Sequence, residues 1–322
     1  MDLKHALEHT RHAYGETLAK LGERIQNIVV LDADLSSSTK TAIFAKKYPH
    51  RFFQMGIAEA DMMDTAAGLA ACGKIPFVST FAIFGAGKGW EQIRNTVAQC
   101  KLPLRIVTTH GGISVGEDGS SHQALEDIGL MRVIPNLKVI VPADSVETRS
   151  VIEYLATHLD GPAYVRLTRP KVPVIHDESH TFTFARAELL LDGDDVTIIG
   201  CGQMVARALE AADILEGDGI YTRVLNMSTI KPIDCDSIKR AAIETGAIVT
   251  VEEHSIIGGL GSAVAEVLAE NKPVPMRRVG CDDCFGVSGT PEELFERYGL
   301  TTPCIVEKVR SVVQQRIKKM NS

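Results

Sequence analysis

The chain has 322 residues, 45% of them hydrophobic and 23% charged, with a formal net charge of −7. That length favours two domains over one. The mild acidity, without any long Lys/Arg-rich run, argues against nucleic acid as a partner, and no run approaches the roughly 20 apolar residues of a membrane span.

In chain order, the polar, amphipathic Met1–Leu21 segment has no apolar core of signal-peptide type, and apolar residues recurring every three or four positions predict a helix over Leu3–Leu21. Ile28-Val29-Val30-Leu31 suits a buried parallel strand. The polar Ser36-Ser37-Ser38-Thr39 stretch reads as a loop, followed by a helix and a strand at Phe52-Phe53. Gly56-Ile57-Ala58-Glu59 then leads into a small-residue helix running to Ala71. Strands are expected at Ile75–Ser79, Leu104–Thr108, Lys138–Val141 and Tyr164–Leu167, with a helix over Trp90–Cys100. Strands alternating with helices predict an α/β fold with a doubly wound parallel sheet and chemistry at the strand C-terminal ends.

From Arg169 to Phe184 the pattern breaks at Pro170, Pro173 and the polar Asp177-Glu178-Ser179-His180 stretch, as an interdomain linker would. A second alternating set follows: Val196–Ile199, a helix to Leu215, Thr222–Leu225, Ile248–Val251 and a helix after Gly261. This is a smaller α/β domain. The division expected is residues 1–172, a linker over 173–190, and residues 191–322.

Gly200-Cys201-Gly202 lacks the third glycine of a dinucleotide fingerprint, and Gly258, Gly259 and Gly261 follow Glu252-Glu253, whose charge would repel a pyrophosphate. Both read as tight strand-to-helix turns. Seven cysteines, an odd number, are scattered. The single CxxC, Cys281–Cys284, has no second pair or histidine partner, so neither zinc nor a thioredoxin-like site follows. A reduced, cytoplasmic protein is expected.

The chemistry-bearing residues sit where sheet strands should end. Glu59 enters an apolar helix, where one-sided desolvation would raise its proton affinity; it is equally an acid placed by the dipole in a helix's first turn. Phe81 and Phe84 are either core or an apolar platform for a heterocycle. His110 lies in Thr109-His110-Gly111-Gly112, while Asp118 and His122 share the polar loop Gly116–Gln123. So polar a loop is costly to hold unless something fills it. The set contains no closed metal-ligand constellation.

Gly-Ile-Ala-Glu, Thr-Phe-x-x-Phe, Thr-His-Gly-Gly, Gly-Glu-Asp-Gly-Ser-Ser-His-Gln and Ile-Pro-Asn-Leu-x-x-x-x-Pro-Ala-Asp occur in this order. The series closely resembles the C-terminal half of transketolases, from about Arg11 onward. The resemblance implies a pyrimidine-binding domain followed by a transketolase C-terminal domain, with thiamine diphosphate as cofactor. The diphosphate-binding domain and its Gly-Asp-Gly metal motif are not within these residues. The implied arrangement is therefore a split enzyme, in which a separate N-terminal subunit ligates Mg²⁺ or Ca²⁺ and the two chains associate, as a heterotetramer.

By resemblance, Glu59 bonds the pyrimidine N1′, Phe84 stacks on the ring and Phe81 lies behind it. His122 and His110 line the substrate channel, where imidazoles pass protons. Asp118 reads the acceptor's C2 hydroxyl, and Arg11, Ser38, His110 and Arg169 hold the phosphate of an anionic sugar, a sulfonate satisfying the same clamp. Two departures stand out. Gly87 occupies a position where many transketolases carry Tyr, and Val249–Ser262 is more like deoxyxylulose-phosphate synthases and 2-oxo acid dehydrogenase beta subunits. Ketol transfer is the leading expectation, favoured by His110 and the Gly-Glu-Asp-Gly element. Those two decarboxylating classes are the enzymatic alternatives, and a regulatory or assembly subunit is the non-enzymatic one.

Overall fold

The computed structural model describes residues 6–158 and 160–320; the Leu3–His5 start of the first expected helix lies outside them. The strands in chain order are β1 (Leu7–Glu8), β2 (Ile28–Asp32), β3 (Phe52–Gln54), β4 (Ile75–Ser79), β5 (Arg105–Thr108), β6 (Lys138–Ile140) and β7 (Ala163–Arg166). They continue with β8 (Val172–Pro173), β9 (Glu188–Leu191), β10 (Val196–Gly200), β11 (Thr222–Asn226), β12 (Thr229–Lys231), β13 (Ile248–Ser255) and β14 (Met276–Cys281).

One sheet has seven strands in the order β12-β6-β7-β5-β4-β2-β3, and the second has five in the order β14-β13-β10-β11-β9. Pairing is parallel throughout except at β12 and β9, which run antiparallel to their neighbours. Every residue of β2, β4, β10 and β11 is buried. That is the condition of strands covered by helices on both faces, and it explains their near-continuous apolar sequence. Among the described residues, no helix is long and apolar enough to cross a membrane.

The structure departs from the sequence reading at short and edge elements. Ser36–Thr39 is one helical turn rather than a loop, and Trp90–Ala98 passes from an α-turn into wider π-type turns. β9 begins at Glu188, inside the stretch read as linker, and joins the second sheet beside β11. β8 pairs with β1, tying the end of the first domain back to its beginning. β12, from the second half of the chain, completes the first sheet by pairing with β6.

One apolar core runs through both halves, from Met62, Met63 and Ile93 to Ile199, Leu225, Ile230 and Leu260. A continuous hydrophobic contact of this kind holds two domains in one orientation. A buried polar network adds direction to it. Arg166 donates to Asp127 at 2.9 Å and to the Glu253 carbonyl at 2.7 Å, while the Glu253 side chain accepts the Ser114 amide at 2.7 Å. Burial pulls the Arg166 guanidinium's proton affinity down, but the charges of Asp127 and Glu253 outweigh it and raise the pKa.

The Glu252 carboxylate accepts the Leu260 and Gly261 amides at 2.6 and 2.7 Å. The protein's own acid thus occupies the start of the Leu260–Glu270 helix, where a phosphate would otherwise bind. The CxxC resolves into a buried Cys281 and an exposed Cys284, both free thiols.

Candidate active site

The site is assembled at the C-terminal ends of the first sheet's strands. β2 ends in Asp32, whose buried carboxylate accepts the Leu35 amide at 2.6 Å and the Thr39 and Thr41 hydroxyls at 2.7 and 2.8 Å. These bonds shape the turn that carries Ser38. β4 ends in Ser79, held by the Tyr14 hydroxyl at 2.8 Å, and leads to Phe81 at the head of the Ala82–Lys88 helix. β5 leads into Thr109–Gly112.

In that last loop His110 adopts φ 60°, a left-handed conformation uncommon outside glycine. The strain is held from behind. The Gly111 amide donates to Leu167 O at 3.1 Å and the Gly112 amide to Ala124 O at 2.9 Å. A side chain at Gly111 would collide with Arg166, and one at Gly112 with Glu253. The Gly-Gly pair therefore lets the loop lie directly on the interdomain network.

Three rings form a column. The rings of Phe84 and Phe81 lie 5.9 Å apart and nearly parallel, and Phe81 stacks on His110 at 3.8 Å. His122 meets the two phenyl rings edge-on at 5.4 and 6.3 Å. Phe81 and His110 are buried, while Phe84 and His122 are half-buried, so the open end of the column is at Phe84.

Glu59 is the first residue of its helix and only 4% exposed. Its Oε2 lies 3.4 Å from Lys88 Nζ, and the same ammonium sits 4.7 Å over the Phe84 ring. Lys88 thus links the carboxylate to the open aromatic face. No motif pointed to it, although its place four residues after Phe84 on one helix was a usable signal. Gly87, next to it, is exposed, and a side chain there would meet nothing within 4 Å.

Positive charge gathers around His110. Burial comes first, followed by the charges of Arg11, Arg169, His122 and Lys40, and together they push its imidazole down to about 3. Its Nδ1 lies 2.7 Å from the Thr109 hydroxyl. Arg11 donates to Ser38 O at 2.8 Å and keeps a buried Nε–H without a partner. Arg169 is held by Val115 O and by the Glu117 carboxylate at 2.6 Å. Lys40 was not picked out from the sequence, and Glu117 entered only as part of the Gly-Glu-Asp-Gly element, because neither charge has an evident role until the loops converge. Asp118 stands apart: it is exposed at the end of the Ile113–Asp118 turn, and none of the ring or charge contacts above includes it.

A neutral, buried His110 has a direct readout. Its NMR resonances are expected not to titrate between about pH 5 and 8, where free imidazoles do. Because its folded pKa lies below the unfolded value of about 6.5, acid favours the unfolded chain. His110 therefore withdraws stability as pH falls from that value toward about 3. A normal titration curve in the folded chain would contradict this environment.

Residues 8–174 match the family model of the transketolase pyrimidine binding domain, and residues 185–305 match that of the transketolase C-terminal domain. A Methanocaldococcus jannaschii chain assigned as a transketolase C-terminal section is 50% identical over 302 residues, spanning 93% of this chain and 94% of that one. The 6-deoxy-6-sulfo-D-fructose transketolase subunit SqwH of Clostridium sp. (strain MSTE9) is 43% identical over 306 residues, 95% of each chain. A solved split gene transketolase, an inactive β4 tetramer, superposes with a TM-score of 0.89 at 51% identity, covering 95% of this chain and 98% of that one. The chain belongs to the transketolase family, of which it carries the pyrimidine-binding and C-terminal domains.

Proposed function

We propose that the chain is one subunit of a two-chain, thiamine-diphosphate-dependent transketolase that moves a two-carbon ketol unit from a ketose phosphate to an aldose phosphate. The observation that carries this is the Lys88 ammonium, placed against the buried Glu59 carboxylate and over the open Phe84 ring. A flat heterocycle offering N–H to Glu59 and a face to Phe84 would take the place the lysine now fills. The thiamine aminopyrimidine has that chemistry. The diphosphate and its divalent metal fall to the N-terminal partner subunit. The description of a related β4 tetramer as inactive accords with a chain that works only in such a pairing, assembled as a heterotetramer.

When bound, thiamine diphosphate supplies the nucleophilic carbon that accepts the two-carbon fragment of the ketose. The rest of the work belongs to the chain's own side chains. Glu59 holds a proton at the pyrimidine N1′, Phe84 orients the ring, and Phe81 buttresses it through the column that ends on His110. His122, half-buried beside both rings, exchanges protons with the sugar's carbonyl and hydroxyl oxygens. His110, neutral, acts as a hydrogen-bonding group rather than a charge. Arg11, Ser38 and Arg169 clamp the anionic end of the substrate, and the partnerless Arg11 Nε–H is a donor waiting for such an acceptor.

Asp118 reads the acceptor hydroxyl from its exposed turn. Asp118→Ala is expected to change the kcat/KM ratio between two epimeric aldehyde acceptors by about tenfold or more, with cofactor affinity little changed. An unaltered ratio would remove Asp118 from acceptor recognition.

The test of the whole reading is reconstitution. This chain, its N-terminal partner, thiamine diphosphate, Mg²⁺, a ketose phosphate and an aldehyde acceptor should together give the chain-extended ketose, with neither chain active alone. Release of CO₂ from a 2-oxo acid instead would favour the decarboxylating alternatives. A sulfonated donor is the second substrate reading, supported by the likeness to the sulfo-sugar transketolase subunit, and the same assay compares it with the phosphate.

A further inference from the structure

The segment between the two sheets holds a cluster that the transketolase reading does not use. His176 and His180 flank a tight turn in which the His180 amide donates to Asp177 O at 3.0 Å and the Ser179 amide to the Asp177 carboxylate at 2.8 Å. The turn brings the two imidazoles together, with ring centroids 4.1 Å apart. Glu188, the first residue of β9, closes the third side. Its Oε2 lies 3.0 Å from His176 Nε2 and its Oε1 3.5 Å from His180 Nδ1.

We propose that His176, His180 and Glu188 bind a divalent transition-metal ion of the Zn²⁺ type, pinning the interdomain segment to the second sheet. One ligand atom from each residue lies within 4.8 Å of the other two. Zinc bonds of about 2.0–2.2 Å place tetrahedral ligands roughly 3.3 Å apart, and the Glu188 carboxylate already sets one oxygen 3.0 Å from His176 Nε2 and the other 3.5 Å from His180 Nδ1. Ligand atoms within 4.8 Å of one another draw inward to close around an ion.

Three further features point the same way. His176 is oriented from behind: its Nδ1 lies 2.9 Å from Asp144 Oδ2, leaving Nε2 to face Glu188. A carboxylate on the far nitrogen of an imidazole is the usual arrangement behind a zinc-bound histidine. Asp144 is itself locked, accepting the amides of Glu147, Ile175 and His176 at 2.8, 2.8 and 2.9 Å. Secondly, the His180 side chain is only 10% exposed, and the Nδ1 that faces Glu188 lies 3.5 Å from Oε1, longer than an ordinary hydrogen bond. Such an atom gains from a ligand. Thirdly, His180 and Glu188 line a pocket of about 260 Å³ together with Glu147 and Ser228. It gives an ion a way in and leaves room for a water in the fourth position.

Arg186 lines the same pocket and opposes a cation, but its guanidinium reaches Asp234 and Asp236 at 3.6 and 3.7 Å. Two imidazoles and a carboxylate without thiolate suit Zn²⁺ and Co²⁺ better than Mg²⁺ or Ca²⁺, which prefer all-oxygen sets.

The experiment uses the full chain stripped with a chelator and titrated with ZnCl₂ or CoCl₂ alone, so it is independent of transketolase activity. One equivalent should bind with micromolar or tighter affinity. Bound Co²⁺ should give visible bands of a four-coordinate site without the near-ultraviolet thiolate charge-transfer band. His180→Ala and Glu188→Gln should each weaken binding by about tenfold or more. If His180→Ala fails to fold by circular dichroism, Glu188→Gln, which keeps the side chain's shape, decides alone. No saturable equivalent, wild-type affinity in the folded variants, or a thiolate band from the free cysteines would each overturn the proposal.

Discussion

Glu59→Gln is expected to abolish ketol transfer in the reconstituted two-chain enzyme, by at least about 100-fold, the lower range for losing a positioned proton-transfer group. The substitution keeps shape and volume at a side chain only 4% exposed, so folding and assembly should survive. What it removes is the carboxylate that faces Lys88 and, in the proposed complex, the pyrimidine nitrogen. The measurement is kcat under saturating cofactor, alongside the mass of the assembled complex and its melting temperature. A complex that forms normally and turns over at the wild-type rate would take Glu59 out of the mechanism, and with it the main support for the cofactor's position. Loss of assembly would mean that the carboxylate acts structurally instead.

The second large effect is on stability. Arg166→Met should cost about 3–5 kcal/mol, the range for removing one partner of a buried ion pair. It strands the Asp127 carboxylate, which is 1% exposed, and frees the Ala124 and Glu253 carbonyls that Arg166 now bonds. The loss should spread beyond unfolding free energy, because Gly111 and Gly112 rest on Arg166 and Glu253. His110 should then leave its left-handed conformation and begin to titrate. Arg149→Met is the control: its pair with Glu178 at 2.8 Å is largely exposed, and such pairs contribute about 0–1 kcal/mol. Denaturant unfolding of the two variants would separate these cases. Equal, small losses would mean that the apolar core alone joins the domains.

The expected parallel-sheet architecture was legible because buried strands such as Ile28–Leu31 and Val196–Ile199 must be apolar throughout, and turns beside them need glycine. The motif residues were legible for a related reason: polar, glycine-flanked loops at strand ends have little structural purpose of their own. Phe81, Phe84, His110 and His122 do come together in one group, and Arg11 and Arg169 bring their charge to it. The short pairings were not legible. β1, β8 and β12 have two or three residues each, too few to carry a period.

By itself, then, the order of residues pointed to the buried parallel strands and to an α/β fold, and it nominated the side chains proposed to carry chemistry. Tertiary structure alone decided which of those side chains meet, and with what charge beside them. Lys88 beside Glu59, the Arg166 network beneath the Gly-Gly loop, and Glu188 between two histidines all join residues from separate elements. Periodicity reports only which face of its own element a residue occupies. Contacts between elements depend on strand order, register and loop path, which arise only when the cores close.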